Sequence, residues 1–309
     1  MSHVGSSSSR STPFVVNLRC IFRFWLYILL LLGGCRIGEA SVPGPDAVSR
    51  DHWSIGVCNP SGLLGKSYVL SSVTADIVAI SETHLTKLSR ASFFSSLKSA
   101  GTPHAPGFTH YISGAPVAPR SQVSEAGAWA GVGFATRCPS RAMSVPWPLD
   151  LFETCRIQFC ASYLRTFWVS GAVVYGYPAG VTHPQAFAQT QAILDFAGDH
   201  LLSSCVGPRY FAGDWNFECS QLTICSRLRS AGWVEAQDLF EAKTGQKPRP
   251  TCKGRTRKDF LWLSPELARA FVTLDFHDVF ADHVVLQAVF KHHDTYADRW
   301  IWPKPFAVP

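Results

Sequence analysis

The stretch "YFAGDWNFE", residues 210–218, runs from an apolar segment straight into Gly213, Asp214 and Asn216. Two readings fit it. A turn at a strand end draws on Gly, Asp and Asn, because these residues tolerate left-handed backbone or hydrogen-bond it locally. A polar site at the rim of a sheet draws on the same residues, since an apolar strand fixes an acid and an amide in space. The choice depends on whether other strands of the chain end in the same way.

They do. "VCNPSGL" carries Asn59 after an apolar run, and "DIVAISETHL" carries Glu82. "RKDFLWLS" opens on Asp259, and "FADHVVL" opens on Asp282 and His283. Turn chemistry explains one such junction. It does not explain a series of acids, amides and a histidine, each attached to a different apolar strand. Oxygen donors such as Glu82, Asn59 and an aspartate suit a hard divalent cation, Mg2+ first and Mn2+ as the alternative. Such an ion polarises a phosphoryl oxygen, so the set fits metal-assisted phosphoester hydrolysis. His283 is suited to act as a general base or to hold the phosphate, with Asp259 fixing its tautomer. Asp214 and Asn216 are suited to positioning the attacking water and binding the phosphate.

The composition allows this chemistry. With 309 residues, 47% hydrophobic and 16% charged, the chain can bury a large core, and a disordered polymer is excluded. A net charge of +6 permits a polyanionic partner without requiring one. The positive charge is concentrated, however. Lys243, Lys247, Arg249, Lys253, Arg255, Arg257 and Lys258 follow one another without an intervening acid and lead into Asp259. A solvated loop and a phosphate-backbone contact both explain the run. Its place beside Asp259 favours contact with nucleic acid through Lys253, Arg255, Arg257 and Lys258. A polyphosphorylated small molecule, such as an inositol phosphate, would suit the same loop.

Short apolar runs predict strands at "WSIGVCN", "DIVAIS", "AGVGFATR", "CRIQFCASYL", "FWVSGAVVYGY", "RYFAGDWN", "DFLWLS" and "HVVLQAVF". Helices are predicted at 183–202 and 219–231, the second stopped by Gly232. Many strands with a few long helices between them imply an α/β sandwich, sheets inside and helices outside. Residues 1–50 read as a Ser-rich leader with a short apolar segment and a Pro/Gly linker, 51–292 as the domain, and 293–309 as a tail. The apolar run 24–32 falls far short of the roughly 18 residues that span a bilayer. Arg19 and Arg23 in front of it fit a signal-peptide shape, and segment 20–32 is able to touch a membrane without spanning it. The ten cysteines contain no CxxC pair and no zinc-finger spacing. Free packed thiols in a reducing compartment are therefore expected, Cys219 and Cys225 included. That favours an intracellular, nuclear setting, with secretion or anchoring through the leader as the alternative. A monomer is expected, and no protein partner is implied.

The ordered set Asn59, "SETHL", "GDWN", "DFLW" and "DHVVL" resembles the endonuclease/exonuclease/phosphatase superfamily, the DNase I-like fold, over about residues 52–290. "GDWN" stands where that family has GDFN, and "ADHVVL" where it has SDH. The resemblance implies a four-layer α/β sandwich, two packed mixed β-sheets flanked by helices, with the site at one rim. It implies Glu82 as the principal metal ligand, Asn59 as a direct or indirect partner, and Asp282 as a further acid at the metal. Asp214 would activate the nucleophile or protonate the leaving group, with Asn216 beside it, and Asp259 and His283 would form the Asp–His pair. The family's Tyr-x-Pro appears as "VVYGYPAG", where Tyr175 and Tyr177 compete for one role. Ser61 and Ala281 stand where many members carry an acid and a serine. The implied activity is an Mg2+-dependent DNA endonuclease, and "NPSGL" with "SETHL" is similar to the retroelement-borne group. A phosphatase or phosphodiesterase on inositol or lipid phosphates, and a decayed binding relic, are the alternatives.

Overall fold

The computed structural model of the chain describes residues 51–101, 107–115, 130–146, 154–178 and 185–295. Its elements begin β1 (His52–Cys58), α1 (Ser67–Ser71), β2 (Ile77–Ser81), α2 (Lys87–Ser99), β3 (His110–Ser113) and β4 (Val132–Thr136). Next come β5 (Ser140–Ala142), β6 (Ile157–Leu164), β7 (Phe167–Tyr175), α3 (Ala186–Ser203), β8 (Arg209–Asp214) and α4 (Thr223–Ser230). The chain continues with β9 (Val234–Glu235), α5 (Ala236–Thr244), β10 (Asp259–Leu263), α6 (Pro265–Ala270), β11 (Phe271–His277), β12 (Val285–Lys291) and α7 (His292–Thr295). The leader 1–50, with its apolar segment 20–32, and the tail beyond Thr295 lie outside the described residues. Among the described residues, no helix is long and apolar enough to cross a membrane.

The strands form two six-stranded mixed sheets, ordered β11-β12-β1-β2-β4-β3 and β5-β6-β7-β8-β10-β9. At the centre of each lies one parallel pair, β1–β2 in the first and β7–β8 in the second. Around these pairs the neighbours are antiparallel.

Side-chain alternation explains why the central strands read as continuous apolar runs. In β2, Ile77 and Ala79 point into the core between the sheets, while Val78 and Ile80 point into a second core under α1 and α2. In β8, Tyr210 and Ala212 face the first core, whereas Phe211 faces a third one, which buries Ile193, Leu194 and Ala197 of α3. β10 repeats the division, with Leu261 and Leu263 inward and Phe260 and Trp262 outward. A strand covered on both faces needs apolar residues at every position, not every second one. Three apolar cores between four layers make the sandwich. Each buried Leu, Ile or Phe contributes about 1.5–3 kcal/mol by leaving water.

The eight strands expected from sequence are present, and the 183–202 helix is observed as α3. The 219–231 helix is divided. A 3-10 turn at Cys219–Gln221 precedes α4, and Gly232, with φ +78°, follows its end. Cys219 and Cys225 are joined by a disulfide, which corrects the expectation that both are free. Their Cα atoms lie 5.9 Å apart across the turn that starts α4, a separation suited to a bridge. Cys58, Cys160 and Cys205 are buried free thiols, as expected.

Candidate active site

Six polar side chains stand at strand ends on one rim. Asn59 follows β1, Glu82 follows β2, and His283 comes just before β12, all in the first sheet. Tyr175 ends β7, Asp214 ends β8, and Asp259 opens β10, all in the second sheet. The site therefore exists only where the two sheets meet. One ligand atom each from Glu82, Asp214 and His283 lies within 4.8 Å of the others.

Local backbone geometry aims these groups. Glu82 and Asn216 both adopt left-handed conformations, φ +53° and +59°, which cost a non-glycine residue of order 1–3 kcal/mol. The surrounding hydrogen bonds hold Glu82 there. Its carbonyl accepts from the Gly62 N–H at 2.8 Å, and the next residue, Thr83, donates to Gly131 O at 2.9 Å. The Asn216 N–H donates to Asp214 Oδ1 at 2.9 Å, and its side-chain amide donates to Gly176 O at 3.0 Å. Gly213 has φ +139°, and a Cβ there would overlap the Val174 carbonyl oxygen of the neighbouring strand. The glycine of "GDWN" is required by that close approach.

Asn59 acts as a spacer between acids. Its amide nitrogen donates to Asp214 Oδ2 at 2.8 Å, and its oxygen accepts from the Ser61 N–H at 2.8 Å. The Asn59 oxygen is thus turned toward backbone. His283 Nδ1 lies 2.8 Å from Asp259 Oδ2, and both residues are buried, so the carboxylate orients the imidazole. Thr251, wholly buried, accepts at its hydroxyl from the N–H groups of Lys258 and Asp259, at 3.1 and 3.0 Å.

The electrostatics separate the two principal acids. Burial would raise the pKa of Glu82, but hydrogen bonds from His84 and Asn59 and the charges of His84 and His283 bring it below its ordinary value. Asp214 goes the other way. Burial, then the negative charge of Asp259, pushes it up to about 7 against the opposing pull of His283, Asn216 and Asn59. One carboxylate is held ionised and the other is poised near neutrality, the division expected of a ligand and a proton-transfer group. Burial lowers the pKa of His283, yet the Asp259 hydrogen bond and the charges of Asp259, Asp214 and Glu82 raise it overall. The Tyr175 phenol is pushed well up by burial and then by the charges of Glu82 and Asp214, and it interacts with Asn216. Tyr177 instead lies against the Arg156 guanidinium, 3.9 Å from ring centroid to carbon. Of the two tyrosines, Tyr175 belongs to this rim.

Three residues here were not singled out for the site from sequence. The Ser81 hydroxyl accepts from the Asp214 N–H at 3.0 Å and donates to Val174 O at 3.5 Å, bridging the sheets. His84 is half-buried with Nε2 3.3 Å from Glu82 Oε1. Cys252 places Sγ 3.7 Å from His283 Nε2. The serine and the histidine flank Glu82 in "ISETHL", which is the only signal they left in the sequence.

Asp282 is exposed and stands outside the Glu82–Asp214–His283 group; its carbonyl accepts from the Lys253 N–H at 2.8 Å. The basic run divides into two kinds of cation. Arg257 is committed to the fold, paired with buried Glu235 and, at 3.0 Å, with Asp238. Arg249 pairs with Asp278 at 2.9 Å, and Lys243 donates to the Phe271 carbonyl. Lys253 and Arg255 are exposed and Lys258 is half-buried. A cleft of about 520 Å3 opens beside His283, lined by Lys253, Arg249, Phe280 and Asp282 among others.

No protein-family model matches the sequence, and no curated protein matches it. Solved structures do. An AP endonuclease from Archaeoglobus fulgidus is 13% identical, with a TM-score of 0.56, covering 77% of this chain and 99% of that one. The 3'-5' exonuclease NExo from Neisseria meningitidis is 15% identical, TM-score 0.56, with the same coverages of 77% and 99%. An AP endonuclease from Leishmania major is 14% identical, TM-score 0.53, covering 78% of this chain and 88% of that one.

Proposed function

Because the chain has the DNase I-like fold, we propose that it is a divalent-metal-dependent phosphodiesterase acting on nucleic acid, and specifically a DNA endonuclease. The observation that carries this reading is the meeting of Glu82, Asp214 and His283 within 4.8 Å at the sheet rim, with His283 held by Asp259.

The donor chemistry fits a metal. Glu82 is a carboxylate held below its ordinary pKa by hydrogen bonds from His84 and Asn59, a hard oxygen donor matched to Mg2+ or Mn2+. When bound, such an ion supplies charge neutralisation at a phosphoryl oxygen. The chain's own groups do the rest. Asp214 exchanges a proton with the attacking water or the leaving oxygen, and its near-neutral pKa suits it to either direction. Asn59 and Asn216 keep its carboxylate in register by donating to its two oxygens. His283, its Nδ1 held by Asp259 and its pKa raised by that contact, presents Nε2 to the phosphate. Tyr175, protonated throughout the neutral range, adds a hydroxyl donor. Lys253, Arg255 and Lys258 supply backbone contacts beyond the reacting phosphate. Assignment to the retroelement-borne group rests on the strings "NPSGL" and "SETHL" alone.

The test is nicking of supercoiled plasmid by the full-length chain, with Mg2+ against EDTA, beside Asp214→Ala. Metal-dependent nicking absent from the variant is expected. A folded protein that leaves plasmid intact but hydrolyses a soluble inositol phosphate would transfer the assignment to small phosphoesters, with the cleft beside His283 as their seat.

A further inference from the structure

Cys252 lies against the side of His283 that the Asp259 contact leaves open. Nδ1 is taken by Asp259 at 2.8 Å, and Nε2 faces the Cys252 sulfur at 3.7 Å. The backbone builds this approach. Cys252 and His283 form an antiparallel bridge, flanked by Lys253 N–H to Asp282 O at 2.8 Å and Val284 N–H to Thr251 O at 2.9 Å. The backbones of these directly opposed residues cannot drift apart without breaking the flanking bonds.

The separation has a chemical meaning. A tetrahedral zinc ion with bonds of about 2.3 Å to sulfur and about 2.0–2.1 Å to nitrogen sets its two donors roughly 3.6 Å apart. A histidine whose second nitrogen is held by a carboxylate is the usual form of a metal-ligating imidazole. Cys252 is half-buried, and its chain neighbour Lys253 and its bridge partner His283 both line the cleft.

We propose that Cys252 and His283 form a two-donor clip for a thiophilic divalent cation of the Zn2+ type, which shares His283 with the rim cluster and differs from the oxygen donor Glu82 in donor chemistry. Sulfur and imidazole select zinc or cobalt over magnesium. Binding expels the thiol proton to solvent, and water or the nearby Asp214 carboxylate fills the remaining positions. Occupancy consumes His283 Nε2, the atom that the phosphodiesterase reading aims at the phosphate. Zinc at the clip is thus an inhibitor under that reading, while the clip itself does not depend on it.

The experiment titrates the full-length chain with Co2+, alone and then against Zn2+, and compares Cys252→Ser. Circular dichroism confirms that each protein is folded. The wild-type chain should develop a thiolate-to-cobalt charge-transfer band in the near ultraviolet that added Zn2+ abolishes, and Cys252→Ser should lack it. His283→Asn, which removes one of the two donors, should weaken cobalt binding by at least about tenfold, the lower bound for loss of a group that merely orients a ligand. No band in the folded wild type, or an undiminished band in Cys252→Ser, overturns the proposal. The readout needs no substrate, so it decides the clip even if the chain never cuts DNA. If plasmid is nicked with Mg2+, micromolar Zn2+ should inhibit the wild type at least about tenfold more strongly than Cys252→Ser.

Discussion

The Ser81 hydroxyl accepts a hydrogen bond from the Asp214 backbone N–H at 3.0 Å, tying the end of β2 to the end of β8. Within its own sheet the end of β8 is already engaged, since the Asp214 carbonyl accepts from Gly176 N–H at 2.8 Å. The buried hydroxyl therefore joins the sheet that carries Glu82 to the sheet that carries Asp214, beside the Asn59–Asp214 and His283–Asp259 contacts. Replacing it with Ala leaves the Asp214 N–H unpaired in a dry interface, a loss of about 1–3 kcal/mol. Urea unfolding of Ser81→Ala checks this, and a change within about 0.5 kcal/mol of zero would remove the serine from the account.

His283→Ala should lower metal-dependent nicking by roughly 10²- to 10⁴-fold, the range for loss of a positioned proton-transfer or charged donor group. Far-ultraviolet circular dichroism should be unchanged. Activity retained within threefold, from a protein of unaltered spectrum, would place the chemistry elsewhere on the rim.

The same histidine predicts a pH dependence of stability. Its folded pKa lies above the ordinary 6.5. A group raised on folding stabilises fully below its unfolded pKa, and that contribution disappears as pH climbs through the folded value. In metal-free buffer, the stability advantage of the wild type over His283→Asn should be greatest below pH 6.5 and shrink above it. Denaturant unfolding at several pH values measures this difference. An advantage that grows with pH would have the wrong sign.

Two glycines with positive φ should respond very differently to Ala. At Gly213, φ +139°, the new Cβ meets the Val174 backbone, so β7 and β8 must separate. At Gly207, φ +80°, no atom lies within 4 Å of the added carbon. Gly207→Ala should cost about 1 kcal/mol from backbone strain alone, and Gly213→Ala clearly more, with activity lost. Equal thermal shifts in the two variants would contradict this geometry.

The basic run should separate by function under mutation. Arg257→Ala leaves the carboxylate of Glu235, only 1% exposed, without its ion-pair partner, and should destabilise by several kcal/mol, at most about 3–5. Arg255→Ala should leave the melting temperature unchanged and reduce the salt-dependence slope of DNA binding by about one. Fluorescence anisotropy across a salt series, with a thermal melt on each variant, distinguishes the two.

How much was legible beforehand follows from burial. β2 and β10 are covered on both faces, so their apolar runs leave no ambiguity. β11, "FVTLDFH", lies at a sheet edge with only Phe271 and Leu274 buried, and its mixed composition resembles a loop. Helix α2 is rich in serine and buries only Phe93 and Leu97; its start is set by a Thr86–Ser89 capping box, a local signal too small to stand out. At the site, acids and amides welded to strand ends were readable one strand at a time. Ser81, His84 and Cys252 acquire their meaning only from residues that other elements bring to them. Charge spacing likewise groups Arg257 with Lys253 and Arg255, although the fold gives Arg257 a buried partner.

The order of the first sheet carries a consequence for how the molecule comes into being. β12, the last strand among the described residues, inserts between β11 and β1, pairing His52 with Lys291. A ribosome delivers residues from the amino end, so β1 has β2 on one side early but waits for β12 on the other until most of the described residues have emerged. His283 arrives with that same neighbour. The nascent chain thus carries Glu82 for most of its synthesis, and Asp214 and Asp259 only in its later part, before the imidazole and the strand that completes the first sheet arrive. Under the proposed phosphodiesterase reading, the rim is completed in one late step rather than accumulated along the way.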